Sequence, residues 1–160
     1  MTNRVRLVQR HSHNLLLVHV VWATAGRWPL LEPSADGWLA QAFRRRAYEA
    51  GSRLVACGNA ADHVHALLRY PSTVRLADLV HRLKGGSSYD WNSSQRRRRL
   101  SWQPGYWAES FGPADLPTVV GYVERQRAHH GGGCPPEPWE AMLGAEGGAS
   151  APCPERSDVT

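Results

Sequence analysis

The chain has few cysteines, almost no lysine and no long apolar run. Its three cysteines, Cys57, Cys134 and Cys153, are odd in number, widely spaced and in no CxxC pair. That excludes a disulfide framework and a cysteine zinc site, and it fits a reducing compartment. No stretch approaches the roughly 18–20 apolar residues of a membrane span; the longest run, Leu15 to Ala23, is interrupted by His19. Arg4, Arg6 and Arg10 are not followed by an apolar segment and a small-residue cleavage site, so no export signal is expected. The expectation is a cytoplasmic, nucleoid-associated protein. Repeats and a second domain are missing too. Residues 1–130 read as one domain and residues 131–160, rich in Gly, Pro, Glu and Ser, as a mobile tail.

Basic charge is what the chain does have. Lys84 is the sole lysine among 19 basic residues, set against 14 acidic ones, for a net charge of +5 and a pI near 9.6. That balance favours a polyanionic partner such as nucleic acid, although an arginine-inflating genome would give the same excess. With 42% apolar residues, 160 positions are enough for one domain with a real core.

Periodicity and turn residues divide the chain into seven elements. Residues 14–24 (NLLLVHVVWAT) form a β-branched apolar run of strand length. Ser34 is placed to cap a helix over residues 35–50, with Trp38, Leu39, Ala42, Phe43 and Ala47 as its apolar stripe. Strands follow over residues 53–58 and 63–70, separated by a turn and ended by Pro71. Ser72 or Thr73 would cap a helix over about residues 74–90, with an arginine-rich loop over 91–104 after it. A fourth strand over residues 106–111 leads to a helix over about 116–130, capped by Asp115 and ending at His129 and His130 before three glycines. The order is β-α-β-β-α-β plus a C-terminal helix. It is the α+β, ferredoxin-like pattern of an antiparallel sheet with two helices on one face. The two-residue strand period turns Val64, Ala66 and Leu68 toward those helices. It leaves His63, His65, Leu67 and Arg69 on a face expected to be open.

His63 and His65 thus stand side by side on one face. An imidazole pair in a strand is either a tolerated half-buried feature or part of a metal site, and a metal site needs a third ligand. The last helix offers Tyr122 and Gln126, four apart and hence on one helix face, beside an apolar stripe of Leu116, Val119, Val120 and Val123 that would anchor the helix to the sheet. Read alone, these are a core tyrosine and a solvated glutamine, or a hydroxyl nucleophile and an amide ligand.

Several motifs then occur in order: "VHVVWATAGRWPLL", His63-Val64-His65 after an acidic residue, "LVHRLKGGSSYDW", "WQPGY", and Tyr122 with Gln126. Together they resemble the single-tyrosine HUH transposases of the IS200/605 type, including repeat-associated tyrosine transposases. The resemblance runs from about residue 14 to residue 130. It implies that His63, His65 and Gln126 bind Mg2+ or Mn2+ and that Tyr122 is the catalytic nucleophile. The implied substrate is single-stranded DNA near hairpins at element ends, cut and rejoined through a 5′-phosphotyrosine without ATP. A homodimer that exchanges the tyrosine helix is implied as well. The ligand chemistry by itself leans to Mn2+ or Zn2+, since Mg2+ prefers oxygen-rich octahedra.

Candidate DNA contacts are Lys84 and Ser87 in the "KGGSS" segment and the arginine run Arg96, Arg97, Arg98 and Arg99. Arg44–Arg46 read as a solvated helix face. Trp91, Trp102, Tyr106 and Trp107 could stack on bases or pack in the core. His19 reads as a supporting residue. The alternative readings are a DNA-binding protein of the same fold without mobility, and a metal-dependent nuclease that uses only the histidines.

Overall fold

The computed structural model describes residues 13–94 and 97–130, with side chains left out at 129 and 130. Arg96, the 131–160 tail with its cysteines, and the N-terminal arginines lie outside the described residues. Strands β1 (Leu16–Ala23), β2 (Arg53–Asn59), β3 (His63–Tyr70) and β4 (Trp107–Ser110) form one sheet in the order β2-β3-β1-β4. Every neighbouring pair is antiparallel. Helices α1 (Asp36–Glu49) and α2 (Leu76–Ser93) pack on one face, giving the expected ferredoxin-like arrangement.

That face closes over an apolar core. Val18, Val20 and Trp22 of β1, and Val64, Ala66 and Leu68 of β3, meet Leu39 and Phe43 of α1 and Leu79, Val80 and Leu83 of α2. Strand alternation and the helical stripe put these residues in register, and their burial from water drives the packing. The expected loop after α2 starts later than the sequence suggests, because the helix runs through Gly85 and Gly86 to Ser93. Gly86 is needed there: a Cβ would lie 2.5 Å from Nε of Arg46, which crosses from α1. Arg46 and Arg45 pair with Asp90 of α2, so two of the three arginines read as a solvated face join the helices.

The helix starts also differ from expectation. Ser34 lies in a 3-10 turn, Pro33–Ala35, ahead of α1, and Arg75 precedes α2. Neither helix, nor the one after Asp115, has a side-chain cap. The aromatic residues mostly pack. Trp91 is buried, its Nε1 donating to the Arg98 carbonyl at 2.9 Å, and Trp102 stands edge-on to Trp22.

The second face is not open. Helix α3 (Leu116–Glu124) and a short α4 (Gln126–His130), broken apart at Arg125, lie on it. Val123 seals against Ala56 and Leu67, with Val119, Val120 and Phe111 around them. The apolar stripe on the last helix has to be buried somewhere, and the sheet face beside the histidines is where it goes.

Candidate active site

Strand β3 delivers His63 and His65 to this covered face, where they are 1% and 0% exposed. Their rings stand edge-on, with centroids 5.1 Å apart. A neighbour holds Nδ1 of each. Nδ1 of His63 meets a carboxylate oxygen of Asp62 at 2.7 Å, and Nδ1 of His65 meets Nε2 of His19 on β1 at 2.8 Å. Engaging Nδ1 fixes both ring orientations and makes Nε2 the nitrogen through which a cation would be bound.

Asp62 is itself anchored. Gly26 and Arg27 both adopt left-handed backbone, φ 64° and 57°, a conformation uncommon for a residue other than glycine. That turn brings Nε of Arg27 to 2.8 Å from Asp62. Burial pushes the Asp62 carboxyl up, but the His63 hydrogen bond and the Arg27 charge outweigh it and hold the group below its usual range. Thr24 ties the turn together by donating to the carbonyls of Trp28 and Asp62. Burial pushes His19 the other way, down to about 4, so it is a neutral imidazole at ordinary pH.

Helix α3 brings Tyr122, and the start of α4 brings Gln126. The Tyr122 ring centroid lies 5.8 Å from that of His65 and 5.9 Å from that of His19. Gln126 is fully buried; its Nε2 donates to the Tyr122 carbonyl at 3.0 Å, while its Oε1 has no hydrogen-bond partner. Gly58, the register partner of His65, makes this approach possible. A Cβ at Gly58 would fall 1.7 Å from the Val123 carbonyl oxygen and 3.3 Å from Cγ of Gln126. Just past Gln126, Arg127 grips both carboxylate oxygens of Asp36 at the start of α1 and donates to the Leu31 carbonyl at 2.8 Å. Asn59 donates to the same Asp36 at 3.1 Å.

His63, His65, Tyr122 and Gln126 therefore come together on one chain. Among the described residues no three or more His, Cys, Asp or Glu side chains gather to hold a metal. A cation here would accordingly need Gln126. A buried amide oxygen without a partner beside two oriented imidazoles is what a divalent ion would satisfy, so the donor set fits one. Cys57 is no rival ligand, since it pairs with Ala66 and packs against the helix-covered core on the opposite face of the sheet.

The expected DNA contacts fare differently. Ser87 is wholly buried, its hydroxyl donating to the Lys84 carbonyl and accepting from Nε1 of Trp102, which removes it from any phosphate. Lys84 is half-buried, with Nζ donating at 2.7 Å to the carbonyls of both Gln103 and Gly105; it ties α2 to the segment before β4. No glycine loop opens between them, because both glycines are inside α2. Arg97, Arg98 and Arg99 are exposed. Their loop is fixed by Asn92, which bonds both backbone groups of Leu100. It then runs beside β1, where Gln103 N–H donates to the Ala23 carbonyl, level with His63. Sequence reasoning gave His19 a supporting place and missed the roles of Asp62, Asp36, Gly58 and Arg127. Only Asp62 carried a local signal, its position next to His63.

Comparison with known proteins adds the following. A family model described as "Transposase IS200 like" matches residues 12–126. A crystal structure of a candidate transposase from Deinococcus radiodurans R1 is similar at 26% identity and TM-score 0.59, covering 74% of this chain and 95% of that one. A repeat-associated (REP) tyrosine transposase bound to a REP hairpin is similar at 14% identity and TM-score 0.57, covering 76% of this chain and 73% of that one. At that identity the likeness concerns the fold alone. No curated protein matches.

Proposed function

The chain belongs to the IS200-like transposase family, and from that premise we propose that it cuts and rejoins single-stranded DNA with Tyr122 as the nucleophile. The observation that carries this reading is the buried Gln126, its amide oxygen unpartnered, between the phenol-bearing turn and the strand that holds the histidines. A nuclease using only the histidines would need neither Tyr122 nor Gln126 beside them.

His63, His65 and Gln126 would hold a divalent cation, Mg2+ or Mn2+, which when bound offsets charge on the phosphate oxygens. With Nε2 of His65 turned to the cation, its Nδ1 carries the proton and donates to His19, which burial keeps neutral. Asp62 accepts from Nδ1 of His63 in the same manner. The Tyr122 oxygen bonds to phosphorus as the phosphorus–O3′ bond breaks. The phenolic proton is lost, the departing 3′ oxygen gains one, and a 5′-phosphotyrosine remains. The phosphodiester energy is kept in that linkage, so a second 3′-hydroxyl can reverse the step and join strands without ATP.

The substrate in this reading is a strand with a hairpin, in line with the DNA held by the repeat-associated tyrosine transposase of the same fold. A homodimer is part of the proposal. Mixing Tyr122→Phe with His65→Ala protein restores cutting if two copies exchange the helix, and does not if each chain uses its own.

The reading is tested by incubating the protein and Mn2+ with an end-labelled single-stranded hairpin oligonucleotide. A slow-migrating covalent product in denaturing gels, absent with Tyr122→Phe, is expected. Binding without any such product would favour a DNA-binding protein without mobility, and cleavage surviving the substitution would favour a nuclease.

A further inference from the structure

At the far end of β3 from the histidines, Arg69 stands directly opposite Arg53 of β2 in the antiparallel register. Both are exposed. Like charges facing each other across a strand pair destabilise a sheet, and proteins commonly offset such a pair with a carboxylate. Among the described residues neither arginine forms a salt bridge, although most of the other ion pairs join an arginine to an acid. The pair is thus an uncompensated concentration of positive charge.

Three further observations give it a direction. The alternation 63, 65, 67, 69 is unbroken in β3, so Arg69 shares the face of His63 and His65. The single extra residue of β2 lies between Leu54 and Ala56, which keeps Arg53 on that face as well. Beside the pair is an open cleft of about 360 Å³, lined by Asn14, Ser52, Tyr70 and both arginines. Ser52 on its wall is 3% exposed, and its hydroxyl has no hydrogen-bond partner.

We infer that Arg53 and Arg69 form a phosphate-holding step for the DNA strand, an inference that rests on the strand-cutting reading above. Arg69 is four positions along β3 from His65, about 13 Å; Leu67 between them is buried under Val123, so a strand held at the pair would approach the site over the outside of α3. Two guanidinium groups side by side suit consecutive phosphates better than a single carboxylate, because each offers forked N–H donors to two oxygens.

The test measures binding of a fluorescent single-stranded oligonucleotide to full-length Arg53→Gln, Arg69→Gln and double-variant protein across a salt series, together with thermal melting and the covalent-product assay. Each single variant is expected to weaken binding three- to tenfold and to flatten the log–log salt dependence by about 0.7, the value for one single-strand phosphate contact. Melting is expected to stay level or rise, because a repulsion has been removed. Arg→Lys versions should keep most of the salt dependence. Unchanged affinity and slope in the double variant, in a protein that still forms the covalent product, would overturn the inference and leave the strand-cutting reading standing. Weaker binding that comes with a lower melting temperature would overturn it as well, by assigning the pair to structure. A wild-type protein that bound no single strand and formed no product would remove both.

Discussion

On β3, Val64, Ala66 and Leu68 look toward α1 and α2, while His63, His65 and Leu67 look toward α3, and all six are buried. The strand and the depth of burial are the same, but the consequences are opposite. The first set lies among apolar neighbours and contributes stability through the area it removes from water. The second places two imidazoles and, through Gly58, an amide where an apolar core would have been more stable. Their order is maintained by dedicated partners: His19 for His65, Asp62 and Arg27 for His63, Asp36 for the helix carrying Gln126. One face holds the fold and the other the groups proposed to react, and substitutions can separate the two roles.

The largest separation is expected between Tyr122→Phe and Leu79→Ala. The first should lower covalent-product formation by about a thousandfold or more and leave urea denaturation unchanged. The second, in the α2 core, should cost about 2–5 kcal/mol by denaturation and reduce product only as far as folded protein is lost. If Tyr122→Phe destabilised the protein as much as Leu79→Ala does, the two faces would not differ in kind.

Gly58→Val tests the seam. Its side chain collides with the backbone of α3 at Val123, so the helix has to lift. A stability loss of about 1–3 kcal/mol is expected, with Mn2+ affinity, followed by electron paramagnetic resonance, reduced more than stability alone accounts for. Retained Mn2+ affinity would mean that the helix position does not set the ligand geometry.

Acid should expose the cost of the polar face. Folded His19 titrates near 4 against an ordinary 6.5, so between those values the unfolded chain takes up a proton that the folded chain does not. Stability is therefore full above that window and declines as pH falls through it, by up to about 3 kcal/mol. Asp62, held below its usual range, adds a loss of the same sign at lower pH. In metal-free protein, His19→Gln should flatten the slope between pH 6.5 and 4, read from urea melts at each pH. An unchanged slope would assign the acid sensitivity elsewhere.

The smallest effect is expected on the outer surface of the helix layer. Arg45→Ala breaks an exposed pairing with Asp90 that Arg46 also makes, and it should change stability by less than about 1 kcal/mol with activity intact.

The helix-packed face was legible in the sequence because alternation in the strands and the stripes of α1 and α2 each have a strong period, and both point to one core. His63, His65, Tyr122 and Gln126 were legible as types at spacings. Covering of their face was not: the stripe of the last helix reads as anchoring it to the sheet, but a stripe does not say that it will close over the histidines. The fate of Lys84 and Ser87 was hidden for a related reason. Glycines usually weaken a helix by about 1 kcal/mol, and only the crossing of Arg46 over Gly86 shows why this helix keeps that one; Gly85 faces open space. The Asp36–Arg127 grip joins residues 91 apart, beyond any local pattern. No proline or glycine marks the break at Arg125, which gives Gln126 a short helix of its own.

The most direct measurement is peptide mapping by mass spectrometry of the protein after reaction with a single-stranded hairpin oligonucleotide and nuclease trimming. The account predicts a nucleotide 5′-phosphate attached to the peptide bearing Tyr122 and to no other. The same label on Tyr48, Tyr89 or Tyr106, or free 5′-phosphate ends with every tyrosine unmodified, would contradict it.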